Sequence, residues 1–321
     1  MTNEDLLELI DLLLDKDMAS HFRDKFSGND DVKITDYLGL TNRDLKDISL
    51  EENKNIAAVN LFFILNDDID VDLRDKVLEI INKVNDKTIL PKMVTNLFEK
   101  QKDKAREIIS LFEDAYEDNL EYACSVISND ELIVRDDLLD ILEFVLETED
   151  TSQAKFVYDI VVDKDMQVND NYLNIIKLFS LSPDSDNLKY AYDVVVNENL
   201  ERRSEFIAIV KLILNARGKE NSKYASLIAL DSNIQKNIDY LELVKIVACA
   251  KSGKQANLVK QLLEDENIIL RDDYIDIVKL IADASSVEAA VEASEIALNP
   301  KLQKKRKYFK LIEKAILDGE E

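Results

Sequence analysis

Turn-forming residues are scarce in this chain of 321 residues, which has five glycines and three prolines. Strand-rich folds need such residues every few positions, so a β-sandwich or barrel is disfavoured and helices joined by short polar loops are expected. There is no tryptophan and a single histidine, His21. His21 has no convincing Cys or Ser partner for a nucleophile–base pair, and no glycine-rich loop is present to cradle a phosphate. No catalytic residue, cofactor or metal is therefore expected. The two cysteines, Cys124 and Cys249, stand in apolar helical stretches without CxxC spacing, and both read as reduced core residues. No apolar run approaches the ~20 residues of a membrane span. Met1 to Asp17 is acidic, where a secretory leader would be basic. The expectation is a cytoplasmic protein that does not contact a membrane.

Hydrophobic residues make up 46% of the chain, enough for a sizeable core and against global disorder. Asp and Glu number 66 against 41 Lys and Arg, a formal net charge of −25. That charge favours solubility and opposes the phosphate backbone of nucleic acids and anionic membrane surfaces, both of which select Lys and Arg. A basic protein or peptide is the partner it favours. With carboxylates this abundant, a pair of them carries no catalytic signal.

A period of 34 residues organises the chain. Leu138, Tyr172, Phe206, Tyr240, Tyr274 and Tyr308 follow one another at that step. Ile141, Ile175, Ile209, Leu243, Ile277 and Leu311 stand three residues on, and Leu142, Ile176, Val210, Val244, Val278 and Ile312 four on. Apolar residues at these offsets form one face of a helix, the second helix of each unit. An earlier segment repeats in step. Ala123, Val157, Ala191, Ala225, Val259 and Ala293 form one row and Val126, Ile160, Val194, Ile228, Leu262 and Ile296 another. The small residues of the first row would let neighbouring helices approach closely. Between the helices run Asn129, Asp163, Asn197, Asp231, Asp265 and Asn299, residues that tolerate left-handed backbone and make Asx turns. Leu132, Met166, Leu200, Ile234, Ile268 and Leu302 follow as an apolar plug, and Asp136, Asp170, Ser204 and Asp272 are N-cap candidates for the second helix. Each unit thus reads as helix, capped turn, helix.

Six regular units occupy residues 121–321, the last closing the array. Residues 51–120 read as two divergent hairpins, and residues 1–50 as an N-terminal helical cap with a loop at Gly28. Stacked hairpins share a continuous core that one hairpin alone lacks. The unit length and helix–turn–helix layout resemble tetratricopeptide repeats over roughly residues 55–321. The signature Trp is missing, the first helices have no Leu-Gly pair, and only Pro183 lies near a unit boundary. The resemblance is one of architecture: it implies an all-α, right-handed α/α superhelix of about eight hairpins, with an extended concave surface commonly used to bind proteins.

Several motifs compete with this plain reading. Asp68, Asp70, Asp72 and Glu79 occupy calcium-ligating positions of an EF-hand-like loop, but Leu73 stands where glycine should make the sharp turn. An interhelix loop is the simpler reading. Residues 34–48 resemble a DNA-binding helix-turn-helix with Gly39 at the turn; Asp44 and Asp47 on the would-be recognition helix oppose phosphates, and a structural cap fits better. Lys304 to Lys307 is the one dense basic run and reads as a solvated loop.

Two rows are candidates for binding. On the first helices, Tyr158 and Tyr192 repeat beside Asp159 and Asp193, offering amphipathic rings next to carboxylates. On the second helices, Lys177, Lys211, Lys245 and Lys279 form an alternative ridge. Glu242 and Asp276, three residues before two of these lysines, suit intrahelical pairing. The function expected is a protein- or peptide-binding scaffold without catalytic activity. The alternative is an acidic inhibitor or nucleic-acid mimic that occupies a basic cleft of a target protein.

Overall fold

The computed structural model describes residues 1–26, 33–113, 115–182 and 184–319. Gly28 and Pro183 lie outside them. The described residues form 24 α-helices, two short 3-10 helices and one π-helical turn, with no strand among them. The chain divides into two compact units, Met1–Gln167 and Val168–Glu321.

The second unit shows why the 34-residue period folds as it does. Its first helices are Ser185–Val195, Lys219–Leu230, Gly253–Leu263 and Val287–Ala297, and each packs on the next. Its second helices, Tyr172–Ser180, Phe206–Leu214, Tyr240–Cys249, Tyr274–Ala282 and Tyr308–Asp318, pack in the same serial way. The two rows close on each other through the periodic apolar faces. Ala191, Ala225 and Ala293 are fully buried, as are Ile175, Ile209, Leu243 and Ile277. A helix with one apolar stripe gains its stability from such contacts rather than from propensity.

The connection inside each hairpin differs from a simple capped turn. A further turn of helix intervenes: Glu198–Glu201, the 3-10 turn Ile234–Lys236, Glu266–Ile269 and Pro300–Gln303. The Asn/Asp row caps it. Asn197 Oδ1 accepts from the amides of Asn199 and Leu200 at 3.2 and 3.3 Å, Asp231 and Asn299 do the same, and Asp265 accepts from Asn267 N at 2.8 Å. Cap φ values of −92°, −89° and −80° at Asn197, Asp265 and Asn299 show extended backbone, so the row supplies Asx caps and no left-handed residue. Among the described residues only Gly39 lies in the left-handed region, with φ 70°. The apolar plug sits within the linking turn, with Leu200 and Ile268 fully buried.

The N-cap expectation for the second helices is overturned. Asn171, Glu205, Asp239 and Asp273, each one residue beyond an expected cap or at the equivalent position, precede these helices without a side-chain cap. The linking turn has already satisfied the amides: Phe206 N donates to Arg203 O at 3.2 Å and Tyr240 N to Asn237 O at 3.2 Å.

A second, polar row fixes each hairpin from the other end. Asn187 Nδ2 donates to Leu214 O at 3.1 Å and Ala216 O at 3.2 Å. One repeat on, Asn221 donates to Val247 O at 3.3 Å and Ala250 O at 2.8 Å. One further on, Gln255 reaches Ile281 O, Ala282 O and Ala284 O at 3.3, 3.2 and 2.9 Å. Carbonyls at a helix C-terminus lack intrahelical donors; here the first turn of the first helix supplies them. Backbone links join successive hairpins: Arg217 N donates to Ala248 O at 3.2 Å and Lys251 N to Ala282 O at 3.0 Å.

The first unit obeys the same rules less regularly. Asn3–Leu13, Lys54–Leu65, Leu90–Thr95, Glu117–Ser128 and Thr151–Val162 pack in series, and so do Val71–Lys83, Ala105–Glu113 and Leu138–Leu146. Asn119 repeats the amide contact, donating to Leu146 O and Thr148 O at 3.3 and 2.8 Å. The period slips before residue 121 where Leu90–Thr95 runs directly into the π-helical turn Asn96–Lys100. A π turn adds a residue to the helical step and shifts the face that follows. Near the N-terminus, Ile34–Leu38 and Asn42–Ser49 flank Gly39 and bury Ile34 and Ile48, and Asn3 Oδ1 accepts from Ile34 N at 3.2 Å.

Candidate functional site

The second unit places the lysine row on the outer face of its second helices. The inward positions of Phe206–Leu214, for example, are taken by Ile209, Val210 and Ile213, all fully buried, which leaves Lys211 pointing out. Two clefts open between neighbouring second helices. One, of about 460 Å³, is lined by Asn174, Lys177, Leu178, Leu181, Ser182, Ile207, Lys211, Leu214 and Asn215. The other, of about 770 Å³, is lined by Ala208, Lys211, Leu212, Asn215, Ile238, Asp239, Leu241, Glu242, Lys245 and Cys249. Lys211 and Asn215 belong to both, so the clefts adjoin across three helices. Leu178, Ile207, Leu212 and Leu241 are half-buried in their walls, and Ile238 stands 97% exposed at the rim. The surface is therefore mixed: apolar floor, lysine ridge.

Charge pairing differs along the row. Lys279 Nζ lies 2.9 Å from Glu242 of the preceding second helix, and Lys245 lies 3.7 Å from the same carboxylate within its own helix. The Lys279 hydrogen bond, with help from Lys245, holds Glu242 below the usual glutamate range. The intrahelical pairing expected for Asp276 is not formed; Glu242 takes its place by bridging two helices. Among the described residues Lys211 has no ion-pair partner. Lys177 is exposed. Lys177 and Lys211 are the charged side chains among the described residues that line the smaller cleft.

The tyrosine row falls on both units. In the first, the Tyr158 ring is half-buried and packs on Tyr122 at 5.3 Å between centroids. Burial raises the Tyr158 hydroxyl above its ordinary pKa, and burial likewise raises the Asp159 carboxyl, with Lys155 opposing. In the second, Tyr192 is half-buried and Asp193 exposed. Half-burial of both rings assigns much of their area to packing.

The remaining candidates have structural partners. Asp70 caps Val71–Lys83, accepting from Asp72 N at 2.9 Å, and also pairs with Arg106 at 3.0 Å. Asp68 pairs with Lys102 at 3.4 Å, Asp72 with Lys76 at 3.7 Å, and Glu79 is exposed. Among the described residues no group of three or more His, Cys, Asp or Glu is placed to hold a metal. Asp44 closes a capping box with Thr41, and Arg43 pairs with Asp47 at 3.9 Å. Cys124 is buried, and burial pushes its thiol far up. Cys249 corrects the expectation: it ends Tyr240–Cys249 on the outward row of Leu181 and Asn215, and is exposed in the larger cleft. No described helix is long and apolar enough to cross a membrane.

The unit boundary also divides the charge. Residues 1–167 carry 41 Asp and Glu against 19 Lys and Arg, and residues 168–321 carry 25 against 22. The lysine clefts thus belong to a unit that is close to neutral. No family model, curated protein or solved structure matches the chain.

Proposed function

We propose that the chain is a non-catalytic α-solenoid of tetratricopeptide-like hairpins that binds a segment of another protein in the lysine-lined clefts of residues 168–321. The observation that carries this reading is the pair of clefts joined at Lys211 and Asn215. They combine contact area from half-buried leucines and Ile207 with a cation, Lys211, that has no ion-pair partner among the described residues. Apolar contact supplies affinity and charge supplies orientation and encounter rate. On this surface the complementary partner is acidic, which reverses the sign expected from the −25 total. The second reading, an acidic inhibitor or nucleic-acid mimic, draws its support from the 41 carboxylates of residues 1–167; a basic partner would be attracted there.

The placement of the cysteines provides a test. Cys124 is buried and Cys249 is exposed in the cleft, so a thiol-reactive photo-crosslinker on the native chain marks this surface alone. In extract from the native host, a discrete protein adduct that disappears in Lys211→Glu is the expected result. An adduct of unchanged yield in the folded Lys211→Glu chain, or no adduct when the same extract crosslinks to a label in residues 1–167, would overturn the cleft and favour the acidic unit.

A further inference from the structure

Arg135, Arg203 and Arg271 stand two repeat lengths apart, each three residues ahead of a second helix. At two of the three the guanidinium fork is filled from within. Arg135 Nε and Nη2 donate to the two carboxylate oxygens of Asp137 at 2.7 and 2.8 Å, and Arg271 Nε and Nη2 to those of Asp273 at 2.7 and 2.9 Å. At the third, Glu205 takes the place of the aspartate. Its carboxylate turns back to its own amide and to Ser204 Oγ, which donates at 3.0 Å, and these bonds hold it below the usual glutamate range. It lies 3.8 Å from Arg203 Nε. Among the described residues the Arg203 guanidinium donates no hydrogen bond, although its Nε is buried.

The plane of this fork is nevertheless set. Arg203 stacks on the Tyr240 ring at 4.7 Å, as Arg271 does on Tyr308 at 4.3 Å. Each ring is pinned by its hydroxyl, which donates at 2.7 Å to Ala229 O in one repeat and to Ala297 O in the other. A guanidinium held in one orientation loses little freedom on meeting a carboxylate, and its paired N–H groups match the two oxygens of that group. A buried N–H without an acceptor carries a desolvation cost that an incoming acceptor removes, and 29% of the Arg203 side chain is open to solvent. We propose that Arg203 is a receptor for a carboxylate carried by a bound molecule, which takes on this fork the place that Asp137 and Asp273 take in their own repeats. The site stands apart from the lysine clefts, neither of which Arg203 lines.

The test reads the Nε–Hε signals of the three arginines by NMR on the full chain, assigned from their lysine variants. Three probes are titrated, each against sodium chloride at equal ionic strength: aspartate blocked at both ends, acetylalanine with its chain-terminal carboxylate, and inorganic phosphate. The Arg203 signal should shift saturably with the carboxylates while the Arg135 and Arg271 signals stay in place. Half-saturation on the order of 10–100 mM is expected, the scale of one charge-assisted bidentate contact. The tighter of the two carboxylates identifies the source as a side chain or a chain end. Glu205→Asp restores the aspartate of the other repeats and should abolish the shift. Glu205→Gln removes the competing carboxylate and should tighten binding roughly two- to fivefold. Asp273→Ala should confer the same response on Arg271. A native Arg203 signal indifferent to carboxylate would overturn the proposal, and a response gained only in Glu205→Gln would show that Glu205 itself occupies the fork. Equal shifts of all three arginines, or tighter binding of phosphate than of either carboxylate, would overturn it as well.

Discussion

Asn221 donates its amide to two backbone carbonyls that close the following helix, and it is 3% exposed. Removing the donor leaves those carbonyls buried without a partner, which costs about 1–3 kcal/mol. Asn221→Ala should therefore lower the urea-unfolding free energy by that amount, while Lys223→Ala, two residues away and exposed, should stay within about 0.5 kcal/mol. Equal effects would show that the amide row does not carry stability. The sequence period made the apolar partners of this row legible: Ile175 and Ile277 are fully buried, as their register requires. The amides themselves were equally periodic at 119, 153, 187, 221 and 255, yet a polar residue in the first turn of a helix reads as surface or cap. Its value appears only once the end of a second helix is seen beside it. Cys249 was hidden for a related reason: an apolar stretch signals a helix, and the last position of a helix faces outward or inward according to where the helix stops.

At the level of elements, the linking turns were the least legible. Four residues hold too little periodicity to distinguish a helical turn from a loop, although their Asn or Asp caps and apolar plugs were visible. The last hairpin shows how the amide row ends. Ala289 occupies the position of Gln255 one repeat on, and Gly319 takes up the space: a Cβ on Gly319 would stand 2.5 Å from the Ala289 Cβ. At φ −85° the backbone of Gly319 suits any residue, so the requirement for glycine is one of close approach, not of dihedral freedom. Gly319→Ala should cost about 1–3 kcal/mol through overpacking. In the Ala289→Gly background most of that cost should vanish, because the two sites touch and their effects do not add. Additive losses in thermal or urea unfolding would mean that the chain end simply moves aside.

The whole molecule is polarised in charge, and this was present in the sequence but invisible without a boundary to count from. A net value of −25 reads as a uniformly acidic surface; once Gln167 and Val168 are seen to separate two units, residues 1–167 hold an excess of 22 carboxylates and residues 168–321 an excess of three. Like charges destabilise a compact state through self-repulsion. Exposed ion pairs such as Asp68–Lys102 and Asp70–Arg106, with side chains at least half exposed, offset little of it. Salt screens this repulsion over a Debye length that falls from about 30 Å at 0.01 M to a few Å near 1 M. Raising sodium chloride from about 10 mM to about 0.5 M, across that screening range, should therefore strengthen amide-exchange protection in Glu117–Ser128 and Leu138–Leu146 more than in Lys219–Leu230 and Tyr240–Cys249. The two pairs of helices share the same packing rule and the same amide contacts, so hydrophobic salting effects act on both and the difference isolates charge. Hydrogen exchange read by mass spectrometry on the intact chain resolves these segments in one experiment. Equal gains in both pairs would mean that the acidic excess of the first unit is already balanced locally, and that its carboxylates serve neither as a source of strain nor as a long-range lure for a basic partner.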